Sequence, residues 1–276
     1  MLNNTNLAFI GAGNMARSLV GGLIDKGHTP TAITVTDIDT GQLARLHDDF
    51  GVNTGTDNQA AVAAAELVVL AVKPQIIASV VQEIKDSLQQ QSALIVSIAA
   101  GVREKDISRW LGTPQPVIRC MPNTPALLGA GASGLYANAQ VSNTQKQLAE
   151  KLLQAAGITI WVEDEARLDA ITALSGSGPA YFFLLVEYMV DAAEKLGLDR
   201  ASAETLARQT AYGAAQMLVG SNESASRLRD NVTSKGGTTA AAINSFESAN
   251  LREIVYKGME CAYQRSIELG IQLGEK

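Results

Sequence analysis

Two stretches hold the residues best suited to bind and position reactants. The first, Gly11-Ala12-Gly13-Asn14-Met15-Ala16, reads G-x-G-x-x-A between an apolar run ending at Ile10 and a helical pattern. Gly11 permits a tight turn, Gly13 lets backbone N–H groups approach a pyrophosphate, and Ala16 lets the helix pack close to the strand. In a strand-loop-helix context this is a dinucleotide fingerprint; the alternative is an ordinary strand-turn-helix corner. The second stretch, Leu228 to Ile243, places Ser234, Lys235, Gly236 and Gly237 before Thr238, Thr239 and an alanine-rich helix. Such a helix start offers unpaired N–H groups to a carboxylate-sized anion. Equally, one glycine could end a helix while Thr238 caps the next.

The residue counts narrow the chemistry further. The 276 residues include only 2 His and 2 Cys. Cys120 and Cys261 lie far apart in sequence, so no zinc spacing exists and no metal is expected. His28 and His47 both fall early, in polar surroundings, which gives a Ser-His-Asp or Cys-His centre little support. Both cysteines read as apolar fillers. With 46% hydrophobic and 18% charged residues, coil-like disorder is excluded. The net charge of -6 is spread without blocks, which argues against a nucleic-acid or anionic-membrane surface. The N-terminus lacks a signal-peptide pattern, and the apolar stretch 60–72 is interrupted by Glu66 and too short to span a bilayer. A soluble, cytoplasmic protein is expected.

These groups need a scaffold, and the hydrophobic periodicity supplies one. Short β-branched runs (LAFI, AITVT, LVVLAV, ALIVSI) alternate with helical patterns at 14–26, 40–50, 75–90 and 103–111. VIRCM at 117–121 adds a strand, and ITIWV at 158–162 closes the sheet after a helix at 144–156. The series predicts an α/β, Rossmann-type, doubly wound and mostly parallel sheet over residues 1–163. After the acidic segment E-D-E-A-R the texture changes to Ala, Leu, Glu, Arg and Ser, which predicts an all-helical domain over 164–276. The run from Gly178 to Gly197 is apolar around most of its circumference, so a partner subunit is expected to cover it.

Several loops leave the carboxyl ends of the predicted strands, where open α/β sheets bind ligands. Asp37 could accept a ribose 2′-hydroxyl, or Asp37 or Asp39 could cap the next helix; Thr36, Thr40 and Arg45 nearby could instead suit a 2′-phosphate. Ala71-Val72-Lys73-Pro74 and Ser97-Ile98-Ala99-Ala100-Gly101 offer small residues beside a nicotinamide ribose. Lys73 either touches a phosphate or is simply solvated.

F-I-G-A-G-N-M, A-V-K-P-Q, S-I-A-A-G-V, R-C-M-P-N-T-P-A at 119–126, S-G-S-G-P-A-Y at 175–181 and D-N-V-T-S-K-G-G-T-T together resemble pyrroline-5-carboxylate reductase over nearly the whole chain. The resemblance implies reduction of L-1-pyrroline-5-carboxylate to L-proline, the last step of proline synthesis, by NAD(P)H, with NADP(H) favoured over NAD(H). It also implies a helical domain that interlocks with a second subunit as a homodimer, in some members assembled further. It assigns Ile10, Gly11, Ala12, Gly13, Asn14, Met15, Asp37, Asn58, Ala71, Val72, Lys73, Pro74, Ala99, Ala100, Glu165 and Asn231 to the cofactor. Ser234, Gly236, Gly237, Thr238 and Thr239 would hold the substrate, with Thr239 as the catalytic hydroxyl facing the imine nitrogen. A glutamate that some members place near that nitrogen corresponds to Asn222 or the adjacent Glu223. One rival is a 3-hydroxyacid dehydrogenase, which needs a lysine acid or base, and only Lys235 lies in a suitable loop. Another is an inert nucleotide-binding regulator.

Overall fold

Leu7–Ile10 (β1) is apolar and buried at every position, as a central parallel strand covered on both faces must be. The computed structural model describes residues 4–275. After β1 come α1 (Asn14–Asp25), β2 (Ile33–Thr36), α2 (Thr40–Phe50), β3 (Asn53–Gly55), α3 (Asn58–Ala63), β4 (Leu67–Leu70), α4 (Ile77–Gln91) and β5 (Leu94–Ser97). These are followed by α5 (Glu104–Leu111), β6 (Val117–Met121), β7 (Gly131–Ala137), α6 (Asn143–Gln154) and β8 (Gly157–Trp161). The strands form one sheet in the order β3-β2-β1-β4-β5-β6-β7-β8, parallel throughout except for the β6–β7 pair.

Alternate residues of β1 face opposite layers. Leu7 and Phe9 join Leu19, Leu46 and Leu152 from α1, α2 and α6, whereas Ala8 and Ile10 join Val62, Ile84 and Ile107 from α3, α4 and α5. This is the expected doubly wound sheet, with the carboxyl ends of its strands free to carry loops.

Two strands escaped the hydrophobic pattern. β3 is a polar edge strand of three residues, N-T-G, with no apolar alternation. β7 is G-A-S-G-L-Y-A, whose small residues reflect close packing: a Cβ on Gly157 would lie 2.0 Å from the Gly131 carbonyl oxygen. The six-residue helix α3 is too short to show a helical period.

Contacts divide the chain elsewhere than at 163/164. The sheet unit runs through Ser177 and takes back the segment from Ala262, while Gly178–Cys261 forms a second unit. The reason is visible at α7 (Arg167–Ile171), where Leu168 and Ile171 press against Gly134 of β7. Beyond it, Thr172–Gly176 forms a π-helical turn. At the C-terminus, Leu273 of α12 (Leu251–Gly274) joins the core formed with α4 and α5.

The second unit contains α8 (Gly178–Lys195), α9 (Arg200–Gly220), α10 (Ala225–Asn231), α11 (Thr238–Ser248) and the start of α12. Its buried apolar cluster comprises only Val190, Ala203 and Ala207 among the described residues. Phe182, Phe183, Tyr188, Val219, Ile254 and Tyr256 are exposed, an apolar surface that a stable fold leaves open only when something else covers it. The helical stretch Arg167–Lys195 has the length and apolar content of a membrane span, a test that core helices of soluble proteins also pass. Cys120 is buried as expected, but Cys261 is exposed.

Candidate functional site

The glycine loop begins where β1 ends. Gly11 donates its N–H to Thr36 O at 2.7 Å, and Ala71 donates to Ile10 O at 2.8 Å, so the β2 and β4 loops close around it. Gly11 has φ +110°, and a Cβ there would stand 2.6 Å from Ala71 O; no other residue fits. Gly13, in contrast, would meet nothing within 4 Å. It is the N-cap of α1, and no side chain caps that helix. The first turn of α1 therefore presents N–H groups to open space, the arrangement a pyrophosphate occupies.

Asp37 and Asp39 divide the two roles read from the sequence. Asp39 caps α2, accepting from Gly41 N at 2.9 Å and Gln42 N at 3.1 Å. The side-chain hydrogen bond from Gln42, helped by these backbone bonds, lowers its pKa below the usual carboxylate value. Asp37 instead accepts from Ala12 N at 2.7 Å and from Asp39 N at 2.9 Å. Next to it Ala12, Asn14, Arg17, Gln42, Arg45 and Leu46 line a cleft of about 320 Å³. Arg17, which the sequence reading missed, pairs with Asp49 and lies over the Phe50 ring. Its spacing was the available signal, since it falls one turn after Gly13 on α1.

Asn58 opens α3 and is fixed at both ends of its amide. It accepts from the Thr36 hydroxyl at 2.6 Å and donates to Glu83 Oε2 at 3.1 Å. Ala71, Val72 and Pro74 are half-buried beside β1, and Lys73 is exposed. Past β5, Ala99 is buried, Ala100 is exposed, and Gly101 turns the chain with φ +79°. Glu165 accepts from Arg119 at 2.6 Å and from Glu104 N at 2.6 Å, and both bonds fall on Oε1. Burial lowers the pKa of Arg119, and the Glu165 carboxylate opposes that shift. The sheet unit thus gathers residues 10–15, Asp37, Asn58 and 71–74 around the end of β1; Ala99 and Ala100 follow β5, and Glu165 is held by β6.

The second unit builds the other stretch. The N–H of Gly237 donates to Ser234 O at 3.0 Å, and Gly236 between them has φ +75°, which favours glycine. Gly237 is the N-cap of α11 and no side chain caps it. Neither glycine ends a helix, since α10 stops at Asn231, and Thr238 is the first helical residue rather than a cap. Thr238 and Thr239 are exposed at the uncapped helix start. Asn231 donates to Glu223 Oε2 at 3.0 Å, tying that glutamate to the loop.

Comparison with known proteins accounts for both units. Residues 165–269 match the family model for pyrroline-5-carboxylate reductase dimerisation, and residues 6–101 match one for NADP oxidoreductase, coenzyme F420-dependent. The pyrroline-5-carboxylate reductase of Pseudomonas aeruginosa is 51% identical over 99% of this chain and 100% of its own length. A solved pyrroline-5-carboxylate reductase from Coxiella burnetii is 46% identical, with TM-score 0.93 over 97% of this chain and 99% of that one. The Plasmodium falciparum enzyme, solved with NADP bound, is 29% identical with TM-score 0.84 over 97% of this chain and 99% of that one. A stretch matching an NADP oxidoreductase model is therefore followed by one matching a dimerisation model, which spans most of the exposed apolar helices. The chain belongs to the pyrroline-5-carboxylate reductase family, oxidoreductases of the last step of proline biosynthesis.

Proposed function

We propose that this reductase converts L-1-pyrroline-5-carboxylate to L-proline with NADPH favoured over NADH, in the cytoplasm, as a homodimer able to assemble further and without membrane or nucleic-acid partners. Residues 1–163 carry most of the coenzyme contacts, joined by Glu165 and Asn231, and the helical residues after them carry substrate and dimer contacts. The observation that carries the reading is the uncapped start of α11, with Thr238 and Thr239 exposed behind the Ser234–Gly237 turn. An anionic carboxylate is stabilised there by N–H groups and the helix dipole.

The coenzyme fits the chain's own residues: the open space at Gly13 and the uncapped α1 suit a pyrophosphate. The Arg17–Arg45 cleft suits a 2′-phosphate and supports NADPH over NADH. Thr36 and Glu83 orient Asn58 toward the adenosine, while Ala71, Val72, Lys73, Pro74, Ala99 and Ala100 border the nicotinamide half. Because Arg119 and Glu104 N occupy only Oε1 of Glu165, its other oxygen can accept a cofactor hydroxyl. Asn231 is assigned to the cofactor by the family resemblance.

When bound, the reduced nicotinamide supplies hydride to the electrophilic C=N carbon. The protein's share is positioning, which can contribute about 7–11 kcal/mol without a strong acid. Gly236, Gly237 and Thr238 hold the carboxylate together with Ser234. The Thr239 hydroxyl bonds the ring nitrogen and keeps it in line as it gains its proton. Of the two candidates for a second polar group, Glu223 is favoured over Asn222, because Asn231 holds its carboxylate at the loop.

Consumption of NADPH on adding pyrroline-5-carboxylate to the purified chain is the direct test, and none would sink the reading. Thr239→Ala is expected to lower turnover more than NADPH binding; unchanged turnover removes Thr239 from the mechanism.

A further inference from the structure

The turn after β5 is held from outside by a buried ion pair that the reaction does not consume. Asp169 of α7 is 2% exposed; its Oδ2 accepts from Arg103 Nη2 at 2.7 Å and its Oδ1 from the Ser266 hydroxyl at 2.6 Å. Arg103 follows the Ala99–Gly101 turn by two residues and passes over α12 where Gly270 has no side chain. A Cβ on Gly270 would come within 2.8 Å of Arg103 Nε and 3.1 Å of Gly101 O. From the other side, a Cβ on Gly101 would lie 3.4 Å from Leu269 and 3.3 Å from Leu273. The end of the turn is thus pressed against α12 and pinned to α7 by one carboxylate.

Stability alone is a weak explanation for this carboxylate. Taking both charges out of water offsets much of their attraction, and apolar packing of similar volume often does as well. What the pair supplies is direction: one charge-assisted bond ties the Arg103 guanidinium to Asp169, a second ties Asp169 to Ser266 of α12, and the Arg103 stem lies against Gly270.

We propose that Asp169 is a positioning residue for hydride transfer: through Arg103 and Ser266 it fixes the Ala99–Gly101 turn, and so the nicotinamide end of the coenzyme. This rests on the reading of Ala99 and Ala100 as coenzyme contacts. The hydride geometry is sensitive to such support, since displacements near 1 Å can cost about 100-fold in rate.

Asp169→Asn and Ser266→Ala are made in the full chain. Each is assayed for kcat, KM for NADPH, the primary isotope effect with C4-deuterated NADPH, and binding of 2′,5′-ADP, which carries the adenosine end without nicotinamide. Asp169→Asn is expected to lower kcat about tenfold and raise the isotope effect, with 2′,5′-ADP affinity kept within about twofold. Ser266→Ala, which keeps the ion pair, is expected to move the same quantities in the same direction by about threefold. A merely structural role would reduce the folded fraction and leave the isotope effect alone. Wild-type isotope effect and KM in folded Asp169→Asn overturn the proposal; if that variant does not fold, the same result in Ser266→Ala overturns it. Ala100→Val separates the two layers. Unchanged NADPH kinetics there remove the coenzyme reading of the turn, and the proposal with it. Altered kinetics there, beside unaltered Asp169→Asn and Ser266→Ala, remove only the positioning role.

Discussion

The carboxylate of Asp37 accepts the Ala12 N–H at 2.7 Å, so the acidic residue at the end of β2 braces the glycine loop itself. Its second oxygen holds Asp39 N, and Asp39 in turn caps α2. One negative charge is therefore fixed beside the cleft that Arg17 and Arg45 line. A 2′-hydroxyl can donate to it, whereas a 2′-phosphate must approach the guanidinium groups against it. Asp37→Asn keeps an acceptor for Ala12 and removes the charge. The ratio of kcat/KM for NADPH over NADH is expected to rise about tenfold, equivalent to about 1.4 kcal/mol. Steady-state kinetics with both coenzymes check this; an unchanged ratio would place Asp37 away from the 2′ position.

Gly11 and Gly13 look alike in the motif but differ in what surrounds them. Alanine at 11 must adopt φ +110° and meet Ala71 O, so Gly11→Ala is expected to destabilise the fold by about 1–3 kcal/mol. Alanine at 13 enters open space, and its stability cost should stay within about 0.5 kcal/mol. Its methyl group instead enters the space proposed above for the pyrophosphate, so Gly13→Ala should raise the KM for NADPH. Urea unfolding beside coenzyme titration distinguishes the two; equal stability of both variants would contradict the steric account.

That contrast also marks what was legible in the sequence. The sheet could be read because each central strand is buried on both faces and so becomes a continuous β-branched run, as in L-V-V-L of β4. β3 and β7 could not, because one is polar and exposed and the other is thinned to glycine where it meets β8. The motif residues of the glycine loop were readable from spacing, and so was the Gly236–Gly237 turn. The side-chain partners were not: nothing in the sequence pairs Asp37 with Ala12, Asn231 with Glu223, or Asp169 with Ser266 across 97 positions. Such pairs depend on packing of distant elements. The division of the chain was hidden for the same reason, since Leu168 and Ile171 follow the change of texture yet pack on β7.

Arg119 is 6% exposed and its charge is met by Glu165 at 2.6 Å. Glu165→Gln leaves hydrogen-bond acceptance intact but removes the directly bonded countercharge of a buried guanidinium, leaving only the Asp169 carboxylate to offset it. The expected loss of stability is about 3–5 kcal/mol. Denaturant unfolding of the coenzyme-free protein measures it apart from any cofactor contact made by the other carboxylate oxygen. A loss below about 1 kcal/mol would show the pair to be no more than a surface-type contact.

Gly237 has an extended backbone, φ -81° and ψ 171°, so alanine there meets no conformational penalty. The obstacle is local: its Cβ would fall 2.5 Å from Ser234 Oγ and 3.2 Å from Ser234 O. The hydroxyl can rotate away, but the carbonyl belongs to the turn that Gly237 N closes at 3.0 Å. Gly237→Ala is thus expected to open the Ser234–Gly237 turn slightly, misdirecting the N–H groups at the start of α11, while the fold and the coenzyme site remain intact. The KM for pyrroline-5-carboxylate should rise about tenfold, the equivalent of about one charge-assisted hydrogen bond, with the KM for NADPH unchanged. Because the Ser234 carbonyl rather than its hydroxyl is the fixed obstacle, adding Ser234→Gly to Gly237→Ala is expected not to restore substrate affinity. Normal substrate affinity in Gly237→Ala would mean that the carboxylate is held elsewhere than at the α11 N-terminus.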